Sequence, residues 1–146
     1  MPRTDDPDAA GHDRGAVDWQ PLVAAALAAR ERAHAPYSRF RVGAALRAAD
    51  GTLHAGANVE NRSYGLTVCA ERVAVVAAVA AGAVGIRAIA IATAEDPPAP
   101  PCGLCLQTLA EFAGPDLPVL LVNPAGARRE LRLGDLLPHP FAPPRG

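Results

Sequence analysis

Apolar residues along the chain fall into runs whose length and period change, and Gly, Pro, Asp or Asn punctuates most of them. Residues 17 to about 32 mix Ala and Leu with Arg and predict a helix, with Asp18 placed as its N-cap. Ala35-Pro36-Tyr37-Ser38 ends it. Residues 42–49 and 52–59 flank Asp50-Gly51, the pattern of a β-hairpin. Residues 60–67 read as a polar loop. Cys69 to about Ala81, rich in Ala and Val, predicts a buried helix closed by Gly82. Residues 86–94 predict a fully buried strand, and 96–101 a Pro-rich loop. Helical period returns over 102–113, where Leu106, Leu109 and Phe112 fall on related faces. A second buried strand is expected at 118–122, a turn at Asn123-Pro124-Ala125-Gly126, and a short strand over 128–133. Residues 134–146 read mostly as a Pro-rich tail, and residues 1–16 as a disordered one. No internal repeat or domain boundary interrupts 17–142, which leaves 143–146 as the terminal tail. Helices alternating with strands imply an α/β fold in which helices cover both faces of a sheet.

Composition narrows the function classes. A chain of 146 residues suits one domain, and half of its residues are apolar. Aromatics make up only 4%, so the core must come from Ala, Val and Leu. A net charge of −1 gives no general attraction to nucleic acid or to an anionic membrane. The N-terminal residues lack the apolar stretch of a signal peptide, and no apolar run approaches the length of a membrane span. A cytoplasmic location is the expectation, and three Cys in such a chain argue against a disulfide framework.

Those three Cys carry the candidate chemistry. Cys69 opens one predicted helix, and Cys102 and Cys105 open another as Cys-x-x-Cys. A helix start offers unpaired N–H groups and the positive end of the dipole, which favour thiolate, the metal-binding form. Structural zinc sites usually use four protein ligands, whereas a catalytic site keeps one position open for water. Three thiolates leave that position, where zinc lowers the pKa of the bound water towards neutrality. Their negative charge opposes that acidification, and Arg72 is placed to offset it. Glu71, two residues after Cys69, is placed to carry protons. Other readings exist for each piece alone. Cys-x-x-Cys also occurs in redox pairs and half zinc knuckles, and a Glu in a first helical turn often only answers the dipole. None of the four His has ligand spacing to a Cys: His12 and His139 fall in tail or loop, His34 at a helix end, His54 in the hairpin.

The assembled pattern resembles a known family. Zinc deaminases carry three metal ligands, a nearby non-ligand Glu and a Pro-Cys-x-x-Cys segment, and this sequence is similar to the three-Cys form. Tyr37-Ser38-Arg39-Phe40-Arg41-Val42-Gly43-Ala44-Ala45 resembles the opening signature of the small, homotetrameric cytidine deaminases. Asn58-Val59-Glu60-Asn61 with Ser63-Tyr64-Gly65 resembles their sugar-binding loop. Cys69-Ala70-Glu71-Arg72 and Pro101-Cys102-Gly103-Leu104-Cys105, continued by Gln107 and Ala110-Glu111-Phe112, resemble their zinc segments. Leu136-Leu137-Pro138 with Phe141 resembles their C-terminal segment.

The resemblance covers roughly residues 17–142. It implies a three-layer α/β/α fold with a mixed five-stranded sheet and one zinc ion per chain on Cys69, Cys102 and Cys105. It implies Glu71 as the proton shuttle, Asn58 and Glu60 at ribose hydroxyls, with Tyr64 in the same loop, and the Ala70 N–H at the pyrimidine carbonyl. Phe40 would stack on the base, and Phe141 would reach a neighbouring subunit's site in a homotetramer. The implied reaction is hydrolytic deamination of cytidine and deoxycytidine, a step of pyrimidine salvage. One position departs from the pattern. The family commonly has Arg directly after its third ligand Cys, and Leu106 stands there in this chain. Deamination of another aminopyrimidine nucleoside, such as a nucleoside antibiotic, would use the same zinc half. A polynucleotide substrate would need a basic channel and aromatic platforms that this composition lacks. A non-enzymatic zinc module would need a fourth ligand and has no use for Glu71.

Overall fold

The computed structural model describes residues 17–144. The expected tail at 1–16, with His12, and the final two residues lie outside the described residues. Elements follow in the order α1 (Trp19–Arg30), β1 (Gly43–Ala48), β2 (Leu53–Ala57), a 3-10 turn (Tyr64–Leu66), α2 (Ala70–Ala80), β3 (Ile86–Ala92), α3 (Gly103–Phe112), β4 (Pro118–Val122), β5 (Arg128–Arg132) and α4 (Leu133–Leu136). The five strands form one sheet in the order β2-β1-β3-β4-β5. Only β3 and β4 run parallel; β1 pairs antiparallel with both β2 and β3, and β5 antiparallel with β4. The sheet is therefore mixed.

Alternate residues of the central strands face opposite sides of the sheet, and in β3 the two sides also differ in size. In β3, Ile89 and Ile91 join the core shared with α2 and α3, whereas Ala88, Ala90 and Ala92 face α1. In β4, Val119 and Leu121 take the first side and Leu120 and Val122 the second. Strands buried on both faces lose the apolar–polar alternation of a half-solvated sheet, which is why they read as continuous apolar runs. Two glycines let the helices come close. A Cβ at Gly43 would stand 1.9 Å from the Ala26 carbonyl oxygen of α1. One at Gly56 would stand 2.6 Å from the Ala74 nitrogen and 2.8 Å from the Ala70 oxygen of α2. Any side chain at either position would lift a helix off the sheet.

Local signals placed most boundaries. Gly51 takes φ +88° in the hairpin turn, which a residue with a Cβ rarely adopts. The Asp50 carboxylate accepts hydrogen bonds there from the Thr52 N–H (3.0 Å) and hydroxyl (2.6 Å). Asp18 occupies the N-cap position of α1 but makes no capping bond. The expected tail from 134 begins instead with the helical turn α4, because Leu133 is buried and its N–H donates to the Leu117 oxygen at 3.0 Å. A turn of four residues is too short to show a period in sequence. No helix of the described residues is long and apolar enough to cross a membrane.

Candidate active site

Helices α2 and α3 pack on one face of the sheet and share its larger core, so their N-terminal ends converge. Cys69 and Cys102 occupy the two N-cap positions, both with extended backbone, and Cys105 lies in the first turn of α3. All three Sγ atoms fall within 4.8 Å of one another. Cys69 Sγ is 3.8 Å from Cys102 Sγ, which is 3.5 Å from Cys105 Sγ. No disulfide joins them. A tetrahedral zinc site with Zn–S bonds of about 2.3 Å places its sulfurs about 3.8 Å apart. The donor set and its spacing therefore fit zinc. No His joins the cluster among the described residues.

The charge around the sulfurs is arranged to favour thiolate at Cys69. Its thiol is held down to about 5 by a hydrogen bond from the Cys105 thiol and by Arg72, against the cost of burial. Arg72 Nη2 lies 3.7 Å from Cys69 Sγ and 3.4 Å from the Thr67 oxygen, and donates to both. Cys105 moves the other way, pushed up by its donation to Cys69 and by burial. Glu71 is buried one residue into α2, and that desolvation lifts its carboxyl above the ordinary range.

A cavity of about 240 Å³ opens beside this cluster. That is just under the roughly 300–1,000 Å³ of typical small-molecule sites. Cys69, Glu71 and Cys102 line it together with Phe40, Asn58 and Glu60. The remaining wall is Ser38, Val42, Thr67, Ile91, Thr93, Ala99 and Pro100. Glu60 Oε1 accepts from the backbone N–H groups of Tyr37 (2.9 Å) and Ser38 (3.1 Å), and its other oxygen accepts from the Ser38 hydroxyl. The Ser38 hydroxyl is the chief reason its carboxyl is held below the ordinary range. Asn58 uses both ends of its amide on the backbone that carries Phe40. Its Oδ1 accepts from the Val42 N–H at 2.9 Å and its Nδ2 donates to the Phe40 oxygen at 2.7 Å.

The chain belongs to the cytidine and deoxycytidylate deaminase family. The family's model, described as the zinc-binding region of those enzymes, matches residues 18–121. The chain is 47% identical to the cytidine deaminase of Halalkalibacterium halodurans over 86% of its own length and 95% of that protein. It is 45% identical to that of Mycobacterium tuberculosis, covering 86% and 90%. The crystal structure of the cytidine deaminase from Burkholderia pseudomallei superposes with a TM-score of 0.79 at 50% identity, covering 83% of this chain and 97% of that one. The mixed five-stranded sheet with helices on both faces is thus the fold of this deaminase family.

Not every residue singled out from sequence lines the cavity. Ala70 is fully buried at the first position of α2, where its N–H has no intrahelical partner. Tyr64 is 75% exposed and stands edge-on to Tyr37 at 5.9 Å, outside the cavity of its own chain. Phe141, 76% exposed, also lies outside it. Its N–H and oxygen are both paired with the Gln107 side chain, at 3.0 and 3.1 Å. Leu106 packs into the core beneath α3 and does not line the cavity. Sequence patterning gives Ser38 and Thr93 no role of their own. Ser38 lies within the Tyr37–Ala45 signature, and Thr93 within the expected strand at 86–94, beside the proline-rich loop.

Proposed function

We propose that this chain hydrolyses cytidine and deoxycytidine to uridine and deoxyuridine with release of ammonia, a pyrimidine salvage step in the cytoplasm. The observation that carries the reading is a buried Glu71 beside three converging sulfurs, with Glu71, Cys69 and Cys102 on the wall of one cavity of about 240 Å³. Cys69, Cys102 and Cys105 would hold one zinc ion. Zinc, when bound, supplies the Lewis acid that makes a water molecule acidic near neutral pH. Glu71 takes a proton from the attacking water and passes protons to the ring nitrogen and the departing amine. The low-dielectric surroundings that lift its pKa suit a group that must both accept and donate. Arg72 and the two helix starts offset the sulfurs' negative charge.

Substrate contacts follow from the same wall. The Phe40 face suits a planar base. The Ala70 N–H supplies an unspent donor for the pyrimidine carbonyl. The Glu60 carboxylate is held ionised for ribose hydroxyls, and Asn58 adds its second hydrogen and lone pair while fixing Phe40. Tyr64 supports this loop through Tyr37, whose N–H donates to Glu60.

Ammonia release from cytidine, deoxycytidine, cytosine, cytidine monophosphate and an aminopyrimidine nucleoside antibiotic tests the reading. Cytidine and deoxycytidine should be turned over best, and a chain that leaves both intact is not a cytidine deaminase. In the same assay Glu60→Ala should raise KM for cytidine, with zinc content unchanged. An unaltered KM would reduce Glu60 to an anchor for residues 37–38.

The active form is proposed to be a homotetramer. Val76 and Val79 on α2, with Leu66, Val84 and Leu104, leave large apolar side chains exposed on a single chain. Apolar side chains left uncovered on one chain, Val76 and Val79 on a single helix among them, are suited to meeting another copy. Phe141, outside its own cavity, would cover a neighbour's base. Light scattering should return four times the 15.0 kDa chain mass. Phe141→Ala should keep that mass and weaken cytidine binding by about 0.5–1.5 kcal/mol. A fully active monomer contradicts the assembly, and unchanged affinity contradicts the role of Phe141.

A further inference from the structure

The parallel strands β3 and β4 end side by side, and a buried polar residue follows each. Thr93 is 2% exposed and Asn123 4%. Thr93 N–H donates to the Val122 oxygen at 3.1 Å, which extends the ladder by one residue. Neither side chain adds to the apolar core. Both instead hold the loop that runs from β3 to Cys102. Asn123 Nδ2 donates to the Glu95 oxygen at 3.1 Å, while its Oδ1 accepts from the Ala127 N–H at 3.0 Å. Thr93 Oγ1 accepts from the Ala99 N–H at 3.2 Å.

The sequence of the loop makes the second of these bonds hard to replace. Residues 97–101 read Pro-Pro-Ala-Pro-Pro. Proline has no N–H, so Ala99 is the one backbone donor in that stretch, and it is used on Thr93. The loop cannot tie itself down by turns of its own. Its far end runs into Cys102, which α3 fixes independently. Ala99 and Pro100, between the two anchors, form the cavity wall beside Thr93.

We infer that Thr93 is a positioning residue for substrate: its hydroxyl fixes the Ala99–Pro100 wall and so sets the fit of the nucleoside, with Asn123 holding the loop's other end. This rests on the deaminase reading above. Because Cys102 belongs to α3 and Glu71 to α2, the loop governs ground-state binding and leaves the metal and the proton carrier in place. The effect therefore belongs in KM and not in kcat.

Thr93→Val keeps the shape and removes the acceptor. It should raise KM for cytidine roughly 5- to 50-fold with kcat within about 3-fold of wild type, as expected when a part-buried N–H loses its acceptor. Zinc content should not change. Amide exchange in the peptide covering residues 95–102 should quicken, and Thr93→Ser should restore both KM and protection. Should Thr93→Val fail to fold, Ala99→Pro deletes the donor in place of the acceptor and should give the same KM rise. Unchanged KM or unchanged exchange in a folded, zinc-loaded variant overturns the proposal. A loss of kcat/KM with exchange unaltered also overturns it, by assigning the hydroxyl to the ligand itself. If the wild-type chain released no ammonia, the deaminase reading would fall, and the exchange measurement would still decide whether Thr93 holds the loop.

Discussion

Replacing Glu71 with Gln should leave a folded, zinc-loaded protein that releases ammonia from cytidine about 10²- to 10⁴-fold more slowly than wild type. The amide matches the carboxylate in size and can fill the same place in the first turn of α2. It cannot accept a proton from water, and no other carboxylate shares the cavity wall except Glu60, whose oxygens are engaged with residues 37 and 38. The loss should exceed that of any binding variant if, as proposed, one group serves the proton transfers on both sides of the reaction. Stability supplies the control. Burial raises the Glu71 pKa, so the folded state disfavours its ionised form. In chelator-treated protein a neutral Gln should therefore melt no lower than wild type near neutral pH. Activity within about tenfold of wild type, at equal zinc content, would remove Glu71 from the proton path.

Removal of one sulfur should have the second large effect. Cys102→Ala should lose most of its zinc by elemental analysis, and its ammonia release should fall to background. The choice of residue isolates the metal, because the Cys102 side chain makes no capping bond at the start of α3. Its loss leaves two sulfurs on two helices, a set that no longer fills three of zinc's four positions. Melting gives a readout apart from activity. A ligand that binds the folded state alone raises the transition in proportion to RT ln(1 + [L]/Kd). Added zinc should therefore raise the melting temperature of chelator-treated wild type and leave that of Cys102→Ala nearly fixed. Full zinc retention by the variant would exclude the three-sulfur site.

How much of this was legible beforehand depends on the range of the signal. Asp50-Gly51 announces its hairpin because a turn needs only its own residues and a permissive φ. The buried strands β3 and β4 announce themselves as short apolar runs, and α2 by its Cys69 start and Gly82 stop. Cys102 and Cys105 are one helical turn apart, so their meeting follows from helix geometry alone. Cys69 is 33 residues from Cys102, and only likeness to a known pattern joined them in advance.

Packing decided the rest. Nothing local distinguishes Ile89 and Ile91, which face α2 and α3, from the alanines between them, which let α1 approach; that division exists only once helices cover both faces. Likeness to the family assigns the Asn58 amide to sugar, and the fold uses both of its ends first on Phe40 and Val42. Tyr64 and Phe141 carry motif residues' names but stand outside the cavity of one chain. Thr93 falls in an expected strand and Asn123 opens an expected turn, but neither signal reaches their importance, which lies in holding Ala99 and Glu95 across a loop. Sequence by itself determined the hairpin turn, the order of the five strands and the three longer helices, and the chemical identity of the sulfurs and carboxylates, because propensity and spacing act within a few residues. The tertiary structure alone decided which of those groups share a cavity and which are spent holding its walls, because a hydrogen bond between distant segments exists only after the chain has closed around them.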